Sequence, residues 1–264
     1  MTPCETGTNI IDLNEYYAGG YFLLKSRTKL CIPRAELPAN CDPYSPAKWI
    51  TWSIPNTWGF TWATDDRELS SVAKYLRLSR ERLLQMQQWV TSYEAIQVGY
   101  PNVFLSYTAM HTFASQFIDD KEALRYIGSG IHKLFIDEFL HTRKPVGSEG
   151  TSGIYQMLSG KHVLHPDGYI LGFDILHFEY SEFNSWLCPY LYSGFVAATG
   201  IALNAYGLLD DEATAVQAAK FSIQAEYDTD SPILNSEWWL PWIVVDYTHT
   251  RNEMVNNAVE YPTK

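Results

Sequence analysis

The chain lacks an apolar run of about 18 residues, the minimum for a membrane-spanning helix. Its first residues lack the basic and apolar regions of a secretory signal. The four cysteines form no C-x-x-C pair, which argues against a thiolate zinc site or a redox motif. No Gly-Lys-Ser/Thr sequence completes a phosphate-binding loop. These absences predict a soluble, cytoplasmic protein that uses no cofactor and no metal.

Basic residues are scarce in the second half of the chain. Residues 144–264 hold 15 acidic and 5 basic side chains, a net charge of -10, whereas residues 1–143 hold 15 and 14, a net charge of -1. Such a field repels nucleic acid and anionic membranes and attracts a basic partner. The alternative interpretation is that the acidity only maintains solubility.

Aromatic and aliphatic residues are plentiful. With 264 residues, 46% of them hydrophobic, the chain can bury one sizeable core. We therefore expect a single domain over 1–264, with a candidate internal boundary at 142–167, where glycines cluster and the charge shifts. Reduced thiols are expected, and a bridge between Cys31 and Cys41 stays open.

Helical signals dominate the middle of the chain. A helix is predicted to begin at Ser79, and a second has Tyr107, Met110, Ala114 and Phe117 on one face. Residues 121–141 give the clearest helical pattern. Its apolar stripe consists of Leu124, Ile127, Ile131, Leu134, Phe135 and Phe139.

The remaining segments complete a predicted mainly α fold with a few short strands, and α+β is the alternative. Prolines predict an irregular, aromatic-rich segment over 1–64, with short strands at Tyr21–Leu24 and Trp49–Ser53. Tyr169–Tyr180 is predicted to be extended, and Asp210-Asp211-Glu212 to begin a helix that ends near Tyr227. Trp242–Tyr247 is predicted to be an edge strand because Pro241 opens it.

One segment partly resembles a calcium-binding loop. Within residues 226–237, acidic residues occupy positions 1, 3, 5 and 12 of an EF-hand-like loop, but Ser231 replaces the glycine of the sharp turn. Whether this segment binds a cation stays open at this point.

Two enzymatic or sugar-binding functions are alternative interpretations of the sequence. Cys188 could act as a nucleophile with His162, His165 or His177 as the base and Asp167 or Asp174 as the orienting carboxylate. The set retained here is Cys188, His177 and Asp174. The apolar run around Cys188 favours a buried core thiol instead. A Trp-rich cluster over 49–62 could form a platform for sugars, although such residues more often fold a loop onto the core. The alternative functions are thus a small-molecule hydrolase and a carbohydrate-active protein.

A longer motif runs through Gly172-Phe173-Asp174, Glu179-Tyr180, Phe183-Asn184-Ser185-Trp186-Leu187-Cys188, Asn204 and Tyr206-Gly207-Leu208. It resembles a pattern in uncharacterised bacterial proteins, some of which are similar to immunity proteins of secreted antibacterial (polymorphic or type VI) toxins. The resemblance implies an inhibitor of a cognate toxin and transfers no catalytic residue. Many nuclease toxins are basic because their substrate is a polyanion, so an acidic surface suits the same role. The residues expected to bind the partner are Glu179, Glu182, Asp210, Asp211, Glu212, Glu226, Asp228 and Asp230.

Overall fold

The structure is a computed structural model, and it describes residues 11–25, 70, 78–90, 98–99, 103–119, 124–142, 153–179, 182–185, 187, 197, 199–204, 206–227 and 240–248. It describes the backbone alone for residues 24–25, 98–99, 138–139, 141–142, 153–154, 177–179, 182–185 and 221–227.

An antiparallel sheet of seven strands forms the centre of the described fold, in the order β2-β3-β1-β4-β7-β5-β6. Five strands have four residues or more, and β2 and β3 have two each. The strands are β1 (Tyr16–Lys25), β2 (Val98–Gly99), β3 (Val103–Phe104), β4 (Leu124–His132), β5 (Tyr169–Glu179), β6 (Glu182–Ser185) and β7 (Leu240–Asp246).

Five α-helices accompany the sheet in the described part of the chain. They are α1 (Arg80–Val90), α2 (Tyr107–Phe117), α3 (Lys133–Thr142), α4 (Gly153–Gly160) and α5 (Glu212–Tyr227), and a short 3-10 turn, Leu13–Glu15, precedes β1. None of them is long and apolar enough to cross a membrane.

The predictions of α1 and α2 are confirmed. The Ser79 hydroxyl accepts a hydrogen bond from the Arg82 N–H at 3.1 Å, and the Ser106 hydroxyl accepts one from the Ala109 N–H at 3.0 Å. A serine oxygen at this position satisfies a backbone donor that the first helical turn leaves open. These helices are predictable from sequence because caps and apolar spacing are local signals.

The prediction of a mainly α fold is wrong, and residues 121–141 show the reason. Residues 124–132 form strand β4, and the helix α3 begins only at Lys133. Because β4 lies between β1 and β7 and is buried on both faces, its apolar residues do not alternate with polar ones. The resulting pattern imitated a helical stripe, although the central Gly128-Ser129-Gly130 disfavours a helix.

In the N-terminal segment the short strand predicted at Tyr21–Leu24 is confirmed, but it is part of a longer strand than the prediction of an irregular region allowed. The strand predicted at Trp49–Ser53 lies outside the described residues. Residues 16–25 form the ten-residue strand β1, with a bulge between Ala18 and Gly20. The glycines there do not mark a turn. A Cβ atom on Gly19 would lie 2.3 Å from the Trp242 ring, so glycine permits this tryptophan to pack against the strand.

Strand β7 is confirmed, but its predicted edge position is wrong. It lies between β4 and β5, and all seven of its residues are buried. Its ladder with β4 begins at Trp242, which pairs with Ile131, so the N–H missing at Pro241 removes no bond from that ladder. The prediction of an extended run beginning at Tyr169 is confirmed by β5, which ends at Glu179, and Tyr180 lies outside the described residues.

The core lies on both faces of the sheet. Along β7, Ile243 and Val245 belong to one buried cluster, whereas Trp242 and Val244 belong to the other. The first cluster includes residues of α1, α2 and α5, and the second includes Ile136 of α3. Helices on both faces explain why β4 and β7 are buried on both of their faces.

The segment 142–167 was interpreted as a loop, but residues 153–160 form α4. Strands from before and after this segment belong to one sheet, since β4 pairs with β7. Residues 161–168 also contact β1, where Tyr17 and Val163 form an isolated bridge.

Candidate functional site

The N-terminal end of α5 carries three of the acidic residues expected to bind a partner. We name Asp210, Asp211 and Glu212 the acidic helix end. The prediction of a helix beginning here is confirmed, because the Asp211 carboxylate accepts bonds from the Thr214 N–H at 2.8 Å and the Thr214 hydroxyl at 2.7 Å. A carboxylate at this position satisfies an open backbone donor and interacts favourably with the helix dipole.

The loop before α5 holds Asp210 through the side chain of Asn204. The Asn204 amide nitrogen donates to the Asp210 carboxylate at 3.0 Å and to the Leu171 carbonyl at 2.9 Å. Its amide oxygen accepts bonds from the Tyr206 N–H at 2.9 Å and the Leu208 N–H at 3.2 Å. One asparagine therefore closes the turn and connects it to β5.

A glycine of β5 permits this connection. Gly172 has a φ of +142°, and a Cβ atom there would lie 2.5 Å from the Leu209 carbonyl oxygen. The adjacent Phe173 and Leu209 exchange both backbone hydrogen bonds, at 2.8 and 2.9 Å. The turn itself was predicted at residues 204–207, and Gly207 does adopt a positive φ of +75°.

The third acid of the helix end has an internal partner. Glu212 is half-buried and accepts a hydrogen bond from the hydroxyl of Tyr16, which is only 3% exposed. Burial chiefly, together with the negative charge of Glu212, raises the pKa of Tyr16 above its ordinary value. Glu212 thus links α5 to β1, whereas Asp210 and Asp211 remain exposed to solvent.

The other expected binding residues are described only partly. Glu179 and Glu182 occupy directly opposed register positions where β5 turns into β6, the last strand in the sheet order. Glu226 lies in the last turn of α5, and its side chain is outside the described atoms. Asp228 and Asp230 lie outside the described residues, as does most of the calcium-loop segment 226–237.

The alternative catalytic set is also incomplete in the described structure. Cys188 lies outside the described residues, as does the tryptophan cluster over 49–62. Asp174 is fully buried, and its Oδ1 atom accepts a bond from the Ile175 N–H at 2.6 Å. His177 lies three positions further along the same strand, and its side chain is outside the described atoms. Within the described residues no three His, Cys, Asp or Glu side chains lie close enough to hold a metal ion.

The structure contains a second group of ionisable residues, which the sequence did not predict. It is a cluster of six rings from three elements, from the connecting segment 161–168 and from the residue that follows β7, and we name it the ring cluster. Four of its rings contact one another in series. His165 stacks on Tyr107 at 3.9 Å between centroids, and His111 stacks on Tyr126 at 4.6 Å. Tyr107 and His111 connect the two stacks, with centroids 4.3 Å apart and rings tilted by 51°. The full set is Tyr21, Tyr107, His111, Tyr126, His165 and Tyr247.

Hydroxyl groups of this cluster bind the backbone of His165. The Tyr247 hydroxyl donates to the His165 carbonyl at 2.9 Å, and the His165 N–H donates to the Tyr21 oxygen at 3.1 Å. Burial chiefly raises the pKa of Tyr21 to about 12, even though the bond from the His165 backbone lowers it. Burial also raises the pKa of Tyr247 well above its ordinary value. Both phenols therefore stay neutral at physiological pH.

Sequence signals for the ring cluster exist but are weak. Tyr107 and His111 are four positions apart on α2 and so share a helix face, and His165-Pro166-Asp167-Gly168 has the composition of a turn. Their partners Tyr21, Tyr126 and Tyr247 come from distant parts of the chain, and no local pattern connects them.

Comparison with known proteins adds no family to these observations. No protein-family model, curated protein or solved structure matches the chain.

Proposed function

We propose that this protein binds and neutralises a basic partner protein in the cytoplasm, as an immunity protein does with its cognate antibacterial toxin. The observation that carries the proposal is the acidic helix end, where Asp210 and Asp211 are exposed while hydrogen bonds from Asn204 and Thr214 hold their carboxylates. Negative charges that are fixed before binding lose little conformational entropy when a cation meets them.

The distribution of charge supports the same function. The helix end belongs to the half of the chain with a net charge of -10. A field of one sign steers an oppositely charged partner toward the surface and raises its association rate. The effect weakens with added salt because ions screen exposed charges.

The tip of the β5–β6 hairpin supports a second acidic contact. Two acidic residues at opposed positions of an antiparallel pair destabilise that pair. Glu179 and Glu182 occupy opposed register positions of β5 and β6, and a basic group that binds there would offset both of their charges. We therefore place the hairpin tip in the proposed binding surface together with the acidic helix end.

The test uses charge-removing variants that keep the local hydrogen bonds. The double variant Asp210→Asn and Asp211→Asn removes two charges, and asparagine remains a good helix cap. Asp137→Asn is the matched control, since Asp137 is an exposed acid in the near-neutral half that pairs with Lys161 at 3.2 Å. Each tagged protein captures partners from a lysate of its own cells at low and at high salt, and mass spectrometry identifies them.

We expect a stoichiometric basic protein that the wild type and Asp137→Asn capture at low salt and lose at high salt. The double variant should capture much less of it. Equal capture at low and high salt and by the double variant would contradict the proposed surface. The absence of any stoichiometric partner would contradict the proposed function.

A further inference from the structure

The segment Lys161–Gly168 joins α4 to β5. It is hydrogen-bonded to β1, and the titratable side chains of the ring cluster lie within it and beside it. We propose that this segment is an acid-sensitive latch, closed while His111 of α2 is neutral and loosened when the His111 imidazole takes up a proton. The inference concerns the ring cluster and goes beyond the proposed partner binding.

The closed latch is attached to β1 by backbone groups. The Ala18 N–H donates to the His162 carbonyl at 2.7 Å, and the Leu164 N–H donates to the Tyr16 carbonyl at 3.0 Å. The next residue, His165, has both of its backbone groups bound by tyrosine hydroxyls of the ring cluster. The latch therefore loses several of its bonds together if His165 moves.

The imidazole of His165 faces two groups of one residue, Asp167. Its Nδ1 atom accepts a hydrogen bond from the Asp167 N–H at 3.4 Å and lies 4.0 Å from an Asp167 carboxylate oxygen. Neutral Nδ1 accepts, whereas protonated Nδ1 can only donate. The bond from the amide therefore requires an Nδ1 atom without a proton, and it holds the imidazole of His165 against its own turn in the closed latch.

His111 lies on the other side of Tyr107, where a positive charge on its imidazole is unfavourable. Its Nε2 atom is buried without a hydrogen-bond partner among the described residues, so a proton there has no acceptor. Burial, and secondly a charge on His165, lowers the pKa of His111 below its ordinary value of 6.5. The stacked tyrosine faces attract an imidazolium, but this attraction offsets only part of the cost of burying a charge.

The tyrosines around His111 stay uncharged near neutral pH. Burial raises the pKa of each tyrosine in the cluster, and Asp167 supplies a carboxylate that is 81% exposed. Five titratable groups contact His111 or His165 in the described structure. They are Tyr21 from β1, Tyr107 from α2, Tyr126 from β4, Tyr247 after β7 and Asp167 within the latch.

The sign of the pH effect follows from the lowered pKa of His111. Above pH 6.5 the imidazole is neutral in both the closed and the open state, and the latch has its full stability. As the pH falls below 6.5, the open state binds a proton more readily than the closed state does. Opening therefore becomes more favourable until the pH falls below the pKa of His111 in the closed state.

Hydrogen exchange measured by mass spectrometry tests the latch on the whole protein. Protection of a peptide spanning residues 161–168 is compared at about pH 7.5 and about pH 5.5, on either side of the ordinary histidine pKa, after correction for intrinsic exchange rates. We expect protection to fall by roughly threefold or more at the lower pH in the wild type. Unchanged protection would overturn the proposal.

Two variants assign the effect to His111. His111→Phe keeps an aromatic ring at this position of the ring cluster but cannot take up a proton. Most of the pH dependence of the protection of residues 161–168 should therefore disappear. His162→Gln removes an exposed histidine of the same segment and should respond as the wild type does. An equal response in His111→Phe and the wild type would contradict the latch.

A titration of the wild-type protein by NMR does not depend on how the variants fold. We expect the His111 imidazole to titrate below 6.5. A value of 6.5 or higher would overturn the proposal, because a proton on His111 would then not favour the open state.

Discussion

The acidic helix end and the ring cluster hold ionisable groups in contrasting ways. At the helix end, Asp210 and Asp211 are fixed by hydrogen bonds yet remain exposed, so their charge is available to a partner. In the ring cluster, the hydroxyls of Tyr21 and Tyr247 bind the backbone of a single histidine, and burial keeps both neutral. The contrast teaches that exposure decides the charge of a hydrogen-bonded group. The exposed carboxylates of the helix end keep their charge, whereas the buried phenols of the ring cluster stay neutral.

The largest expected effect concerns the support beneath the acidic helix end. Gly172→Ala should lower the free energy of unfolding by about 4 kcal/mol, because the new Cβ meets the Leu209 carbonyl and the φ of +142° is strained for alanine. Gly200→Ala is the matched control. It also has a positive φ, of +70°, but open space, and should cost only about 1 kcal/mol. Urea unfolding compares the two, and equal losses would refute the close packing of β5 against the turn.

A smaller loss is expected when the side chain that organises the turn is removed. Asn204→Ala should destabilise the protein by about 2 kcal/mol, because the Leu171 carbonyl and two backbone N–H groups lose their partner. Asn14→Ala, which removes an exposed bond to Asp12, should have little effect. Thermal unfolding distinguishes them, and an Asn204 variant as stable as the Asn14 variant would contradict this role.

In the ring cluster, removing one hydroxyl tests how firmly His165 is held. Tyr247→Phe should cost about 1 kcal/mol, since the His165 carbonyl loses its donor while the ring remains in place. Local hydrogen exchange of residues 161–168 should also accelerate. A variant with normal stability and normal exchange would show that this hydroxyl does not hold the latch.

The smallest expected effect separates the cap from the charge at Asp211. Asp211→Ala should destabilise α5 by about 1 kcal/mol, whereas Asp211→Asn should cost only a few tenths, about 0.3 kcal/mol, because asparagine also caps helices. Chemical unfolding of both variants checks the difference. Equal losses would mean that the charge stabilises the fold, and the partner-binding test would then need another control.

The residues that sequence reasoning placed correctly are those with local signals. Ser79, Ser106 and Asp211 cap helices whose apolar spacing continues for two turns or more, so α1, α2 and α5 could be predicted. The turn at Asn204 could be predicted for the same reason.

Errors arose where neighbours from distant parts of the chain decide the structure. Leu124–His132 is a strand because β1 and β7 flank it, and nothing within those nine residues encodes these partners. Pro241 was taken as the mark of an edge because the ladder beginning at Trp242 could not be foreseen. The ring cluster escaped detection since its members span residues 21 to 247.

The most direct test of the proposed function is the association rate of the purified protein with the basic partner that it captures, measured by stopped flow at low and high salt. We predict that the rate falls with salt, and that Asp210→Asn with Asp211→Asn lowers it roughly fivefold at low salt. The control Asp137→Asn should leave the rate close to that of the wild type. A rate that neither salt nor the double variant changes would contradict an acidic surface that steers and binds the partner.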